Sequence, residues 1–209
     1  RSALLRRRSR YEEALADCEH VVQTHPGLAE AHFEHATTLE ACGRHDRALA
    51  AYDAALALRA DFFEAKVNRA NVLRSLGRPE DALAGYDRAL TLAPGDAETL
   101  FNRADLLFAM GRYSEALEAS GNALRQDPTL TPAQIVRGRA LHGLNRSAQA
   151  LAAFDAVLGQ SPANAEAHFY RANVLRDCDR LDEALIAYDR AILHRSDFGH
   201  ALNNRGTVL

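Results

Sequence analysis

The sequence predicts an all-α fold, a solenoid of stacked helix-turn-helix repeats, and three observations carry that prediction. Alanines recur at Ala14, Ala48, Ala82, Ala116, Ala150 and Ala184, at one constant interval and without a gap. Inside each unit apolar residues return at three and four residues, as Ala48, Leu49, Tyr52, Ala55 and Leu56 do, which is one stripe of a 3.6-residue helix. Turn signals then separate the stripes: Gly43, Gly77, Gly111, Asn145 and Asp179 each precede an arginine, and Pro26, Pro94, Pro128 or Pro162 stands between units. Gly, Asn and Asp tolerate the left-handed conformation that ends a helix. Proline cannot continue one, because it lacks an amide hydrogen and clashes with the preceding turn.

Two further ladders keep the same period. One is Leu39, Leu73, Leu107, Leu141, Leu175 and Leu209; the other is small, at Ala36, Ala70, Ala104, Gly138, Ala172 and Gly206. Bulky residues at Tyr52, Tyr86, Phe154 and Tyr188 alternate with them, and Cys18 and Ser120 occupy the same slot. Large against small predicts close helix approach. A unit of this length cannot bury its own stripe, so it stacks on its neighbours into one continuous core.

In chain order the pattern gives a first B helix over 11–24, then A and B pairs at 30–42 with 46–58, 64–76 with 80–92, 98–110 with 114–126, 132–144 with 148–160, and 166–178 with 182–194. A last A helix starts near 200. The domain reading is a single array over 1–209: a partial repeat 1–28, full repeats 29–62, 63–96, 97–130, 131–164 and 165–198, and a partial repeat 199–209. Beginning without Met inside one A helix and stopping inside another, the chain is expected to be a piece of something longer. Lys66 is the single lysine among 25 basic residues, an arginine bias expected of a GC-rich bacterial genome.

Together these residues resemble the tetratricopeptide repeat over the whole chain, with the small residue, the Gly turn, the Ala, the aromatic and the Pro at their usual offsets. The large aromatic near the start of helix A is replaced by His32, Lys66, Leu100, Gln134 and His168, a departure expected to cost packing and to leave the architecture intact. The resemblance implies a right-handed superhelix with the A helices lining a concave face, a protein or peptide as ligand, and slots 2, 5, 6, 9, 12 and 13 of each unit turned toward it.

On that carry-over, slot 6 holds Asn68, Asn102 and Asn204, and slot 9 holds Asn71 and Asn173. An asparagine amide offers donors and an acceptor that complement the backbone of an extended peptide. Asn71 with Asn102, and Asn173 with Asn204, are related as slot 9 of one unit to slot 6 of the next. That relation sets amides side by side on adjacent A helices and resembles the asparagine ladder of O-linked N-acetylglucosamine transferases. Glu34, Val136 and Tyr170 at slot 6 and Asp105 and Arg139 at slot 9 interrupt it. Arg74, Arg139 and Arg176 add positive charge to a groove that is acidic near its start at Glu30, Glu34, Glu40, Glu64 and Glu98, so a ligand basic at that end is expected. Slot 5 carries Phe33, Val67, Phe101, Ile135 and Phe169 instead of the lysine of a carboxylate clamp; Phe33, Phe101 and Phe169 are candidates for pockets that take ligand side chains, or are core.

A slot 7 series, Arg69, Arg103, Arg137, Arg171 and Arg205, is expected to be structural, its guanidinium groups paired to B-helix acids Asp53, Asp87, Asp155 and Asp189. The turn arginines Arg44, Arg78, Arg112, Arg146 and Arg180 are expected to help cap the A helices.

Other classes find little support. There is no HExxH, Walker loop or GxSxG, so no enzyme is read from this chain. His32 and His35 share a helix face, but two ligands do not make a zinc site and the other histidines scatter; no metal and no cofactor is expected. Cys18, Cys42 and Cys178 form neither a CxxC nor an even set and read as reduced, mostly buried thiols. With net charge -3 and its basic run confined to Arg6, Arg7, Arg8 and Arg10, the chain is expected to bind no nucleic acid. No apolar run approaches a membrane span and no signal peptide opens the chain, which leaves the cytoplasm as the expected location. The leading reading is an interaction scaffold for an extended peptide. Its alternatives are the substrate-recruiting region of a larger bacterial glycosyltransferase or sulfotransferase, and a self-associating module that pairs through Tyr11, Leu15 and Val22 or through Leu202, Val208 and Leu209.

Overall fold

The computed structural model describes residues 11–208; Arg6, Arg7, Arg8, Arg10, Leu209 and the side chain of Tyr11 lie outside that description. Among the described residues there are twelve helices and no strand: α1 (Tyr11–Thr24), α2 (Ala29–Ala41), α3 (His45–Leu58), α4 (Phe63–Ser75), α5 (Pro79–Leu90), α6 (Ala97–Ala109), α7 (Tyr113–Gln126), α8 (Thr131–Gly143), α9 (Ser147–Gln160), α10 (Ala165–Asp177), α11 (Leu181–His194) and α12 (Gly199–Gly206). Every helix expected from the sequence is present, its ends displaced by at most two residues.

Between Thr99 and Leu100, in the first turn of α6, the chain divides into two compact units. In the first, α1 packs on α2, α2 on α3, α3 on α4 and α4 on α5. In the second, α7 through α12 pack in the same consecutive manner. Neighbouring A helices also touch within each unit, α2 on α4 and α8 on α10.

The end of helix A is built the same way five times. Gly43, Gly77 and Gly111 have φ of 71°, 70° and 74°, and Asn145 and Asp179 have 58° and 60°. This left-handed residue turns the next amide back onto the helix. The amides of Arg44, Arg78, Arg112, Arg146 and Arg180 each donate at 2.9 Å to the carbonyl of the ladder leucine five positions earlier, from Leu39 to Leu175. It is the six-to-one bond of a Schellman ending. The arginines therefore cap through their backbone. Their side chains go elsewhere: Arg78 to Asp81, Arg112 to Glu115 and Arg180 to Glu183 on the following B helix, and Arg44 to Glu12 on α1.

The loops from B back to A are tied by the residues that replace the expected aromatic. Nε2 of His32, Gln134 and His168 lies 2.9, 2.8 and 2.9 Å from the carbonyl oxygen of Pro26, Pro128 and Pro162. A carbonyl only accepts, so each of these nitrogens carries a hydrogen and donates. At these three positions the slot read as a packing site holds a polar latch across the proline loop, whereas Leu100 in the same slot is buried in the core. His168 also stacks on His194 with ring centroids 5.7 Å apart, and burial holds its pKa below the ordinary histidine value.

Tyr52, Tyr86, Phe154 and Tyr188 are fully buried against the small ladder. At Gly138 the fit is tightest, since a Cβ there would stand 2.7 Å from the Phe154 ring. Cys18 fills its tyrosine slot in the core, 3.5 Å from Thr38 Oγ1, whereas Cys178 is exposed; burial therefore accounts for the first cysteine and not the last. Leu15, expected on an uncovered stripe, is buried in the core of the first unit together with Leu39 and Tyr52.

Three of the slot 7 pairs form as expected. Arg69, Arg171 and Arg205 donate from Nε to Asp53, Asp155 and Asp189 at 2.5, 2.7 and 2.5 Å. Arg137 departs from the expectation: Gly121 stands where the others have Asp, and Arg137 is exposed with no ion-pair partner among the described residues.

Candidate functional site

The A helices of the second unit carry Asp105 and Phe108 on α6, Arg139 and His142 on α8, Tyr170, Asn173 and Arg176 on α10, and Asn204 on α12. Helical spacing of three and four puts these positions of each helix on one face.

Asn173 is the most fully specified of them. Its Oδ1 accepts from the Tyr188 hydroxyl at 2.6 Å and from Asn204 Nδ2 at 3.0 Å. Both lone pairs of the carbonyl are used, so the amide cannot flip and its Nδ2 hydrogens are left to donate. The expected side-by-side arrangement of Asn173 and Asn204 is thus present. In the first unit Tyr86 holds Asn71 in the same manner at 2.5 Å. Asn71 and Asn102 belong to different units; Asn68 and Asn102 are each half-buried on α4 and α6.

A sequence rule underlies the amide orientation. Tyr86 and Tyr188 follow Asn71 and Asn173 by 15 residues, placing a hydroxyl beneath an amide oxygen. At the same offset from Arg139 stands Phe154, which has no hydroxyl. The pairing is chemically consistent, because arginine offers no acceptor.

Asp105 and Arg139, which read as interruptions of the asparagine series, meet across one repeat with Arg139 Nη1 3.3 Å from Asp105 Oδ1. The Arg139 guanidinium also lies over the rings of Phe108 and Tyr170, 4.1 and 4.9 Å from their centroids. Its planar, weakly hydrated group suits such a sandwich better than an ammonium would. Arg139 Nε is buried without a hydrogen-bond partner. Burial raises the pKa of Tyr170, keeping the phenol protonated beside it.

Beside this sandwich opens a cavity of about 480 Å³. Its walls include Phe108, Tyr113, Tyr170, Arg139 and Asn173, with His142 and Asp177 at one edge. Tyr113 reaches in because residue 143 is glycine: a Cβ there would stand 2.8 Å from its ring. Asp177 takes His142 Nε2 at 3.1 Å on one oxygen and Arg176 at 2.8 Å on the other. Arg176 is therefore engaged with its neighbour, while Arg74 is exposed in the last turn of α4.

The slot 5 phenylalanines divide. Phe169 is 8% exposed and packs on Tyr188 and Phe198, and Phe33 lies 4.8 Å from the Phe62 ring against the core of the first unit. Phe169 is a core residue, whereas Phe33 and Phe101 are half-buried. Sequence reasoning missed Phe108 and His142, although they share slot 12 with Arg74 and Arg176. It also missed Tyr113, the first residue of the B helix α7, where no groove position was expected.

Among the described residues no three His, Cys, Asp or Glu side chains converge to hold a metal ion, and no helix is long and apolar enough to cross a membrane. His32 is spent on Pro26, and His35 lies 3.9 Å from Glu19.

No curated protein matches the sequence. Among solved structures, YrrB, described as a TPR protein with an unusual peptide-binding site, is 23% identical with a TM-score of 0.72, over 90% of this chain and 97% of that one. MamA from Desulfovibrio magneticus RS-1 is 17% identical with a TM-score of 0.75, over 82% and 97%. TTC0263, a thermophilic TPR protein in Thermus thermophilus, is 21% identical with a TM-score of 0.69, over 86% and 98%. At these identities the likeness shows the solenoid fold alone. Tetratricopeptide repeat models match the sequence itself over residues 29–62, 61–129 and 135–200. With the repeat ladders, the Schellman endings and these matches, the chain belongs to the tetratricopeptide repeat family, whose repeats indicate a protein-protein interaction scaffold.

Proposed function

We propose that the A-helix face of the second unit binds an extended peptide, with Asn173 and Asn204 taking the peptide backbone and the cavity beside Arg139 taking one side chain. The observation that carries this reading is the fixed Asn173 amide. A core tyrosine and a neighbouring amide hold its oxygen, so its Nδ2 hydrogens are pre-aimed and lose little freedom on binding. Asn102 on α6 is assigned the same backbone-reading role in this unit, and Asn68 and Asn71 on α4 a backbone-reading role of their own in the first unit. Asp105 and Arg139 close the gap between Asn102 and Asn173, Arg176 sets charge at a helix end, and Phe101 offers an apolar contact; Arg74 sets charge at the end of α4 in the first unit. Phe169 supports this face from beneath; in the first unit Phe33 packs against the core.

The test is a nuclear magnetic resonance titration with a pool of capped random hexapeptides, following the side-chain amide signals of Asn173 and Asn204. Movement of both signals, and an affinity about tenfold weaker in Asn173→Ala, is the expected result. Binding that leaves both signals still and survives the substitution would remove the proposal.

A second reading, self-association, has its own observation: Ile186, Leu193 and Leu202 are 62%, 70% and 48% exposed near the end of the second unit. Exposed apolar patches tend to pair. Sedimentation of wild type beside Leu193→Glu separates the readings, since a dimer would dissociate while hexapeptide binding would stay unchanged.

A further inference from the structure

Between α7 and α9, floored by α8, runs a groove of about 960 Å³ that shares no residue with the cavity beside Arg139. Its floor is Arg137. In three other repeats the corresponding arginine is neutralised by an Asp 16 residues earlier, as Arg69 is by Asp53, Arg171 by Asp155 and Arg205 by Asp189. Here the equivalent position is Gly121, and a Cβ built on it meets nothing within 4 Å. The fold thus keeps a guanidinium in a groove while omitting both the carboxylate that answers it elsewhere and the volume of that side chain.

The surroundings favour an incoming anion. Arg125 and Arg146 line the same groove, against the single acid Glu118. Arg125 is turned onto the Asn122 amide. The opposite wall is small and apolar, at Ala152, Ala153 and Ala156, so backbone or an aliphatic side chain can approach closely.

We propose that this groove is a docking surface for a partner segment that places an aspartate or glutamate on Arg137, in the space that an Asp side chain fills in the neighbouring repeats. The partner is an acidic residue flanked by aliphatic ones. It supplies in trans the ion pair that repeats elsewhere make in cis.

The experiment follows the Nε–H signal of Arg137 by nuclear magnetic resonance during titration with acetyl-Leu-Glu-Leu-amide, its Gln counterpart, and inorganic phosphate. In the wild type the Glu peptide shifts the signal saturably and binds about fivefold more tightly than the Gln peptide. In Gly121→Asp, which the open space accommodates, the arginine is answered internally and the preference falls to about one. Arg137→Gln, an exposed change that leaves α7 untouched, abolishes the preference as well. An unmoved signal, a preference that survives Gly121→Asp, or a response to phosphate with none to the Glu peptide would each overturn the proposal.

Discussion

The hydroxyl of Tyr188, a side chain with no exposed surface, donates to Asn173 Oδ1 at 2.6 Å, so a core residue of α11 sets the orientation of an amide on the A-helix face. Buried packing and surface recognition are joined through one hydrogen bond. Tyr188→Phe tests the link: it keeps the ring and removes the donor. Stability should fall by about 1 kcal/mol in urea unfolding. Peptide affinity should fall about fivefold although the substituted atom touches no ligand.

Arg139 should resist conservative replacement. Arg139→Lys keeps the charge but loses the flat group held between Phe108 and Tyr170. A loss of about 1 to 2 kcal/mol is expected, with Arg139→Met no worse than Lys because its thioether fills the sandwich without a charge to desolvate. A urea series on the three proteins checks the order.

Two glycines within B helices predict opposite outcomes for the same substitution. At Gly85 an added Cβ would stand 2.8 Å from Ala70 Cβ, where α4 and α5 approach backbone to backbone, so Gly85→Ala should destabilise by about 1 to 3 kcal/mol. Gly121 faces open space, and Gly121→Ala should stabilise by up to about 1 kcal/mol through helix propensity. Thermal melts of the pair read the difference in sign.

Two half-buried histidines, His35 and His168, make stability depend on acid. Burial, the largest cause, lowers the pKa of both His168 and His35 below 6.5 in the folded chain. The unfolded chain then takes up protons first as pH falls, so the stability held above pH 6.5 declines below it and levels once the folded groups also protonate. The urea midpoint should drop on going from about pH 7.5 to about pH 5.5. His168→Gln should remove part of that slope, because Gln134 already makes the same latch to Pro128 without a titrating group.

Repeat order, helix ends and the left-handed turns were legible in the sequence because they depend on local conformation and a fixed period. Asn173 and Asn204 were also legible, since the step from slot 9 to the next slot 6 is a geometric constant of stacked repeats. Less visible was what lay beneath them. The 15-residue offset from Asn71 to Tyr86 and from Asn173 to Tyr188 is in the sequence, but its meaning needs the knowledge that a buried phenol points at the opposite face. Arg139 read as a break in a ladder because its partners, Phe108 and Asp105, come from the preceding repeat and Tyr170 from the next. Arg137 was misjudged for the reverse reason: a series of arginines suggested a series of pairs, and the one missing acid, at Gly121, weighs more than the repeated ones.

The Schellman endings carry a consequence for how such an array can change over time. Because Arg44, Arg78, Arg112, Arg146 and Arg180 close the turn with the main-chain amide, any residue except proline can make that bond. Four of their side chains pair with surface acids, Glu12, Asp81, Glu115 and Glu183, and none of those pairs is needed for the turn bond. An array built this way can exchange its surface charge one turn at a time, acquiring or losing partners, while the bond that ends each helix stays as it was.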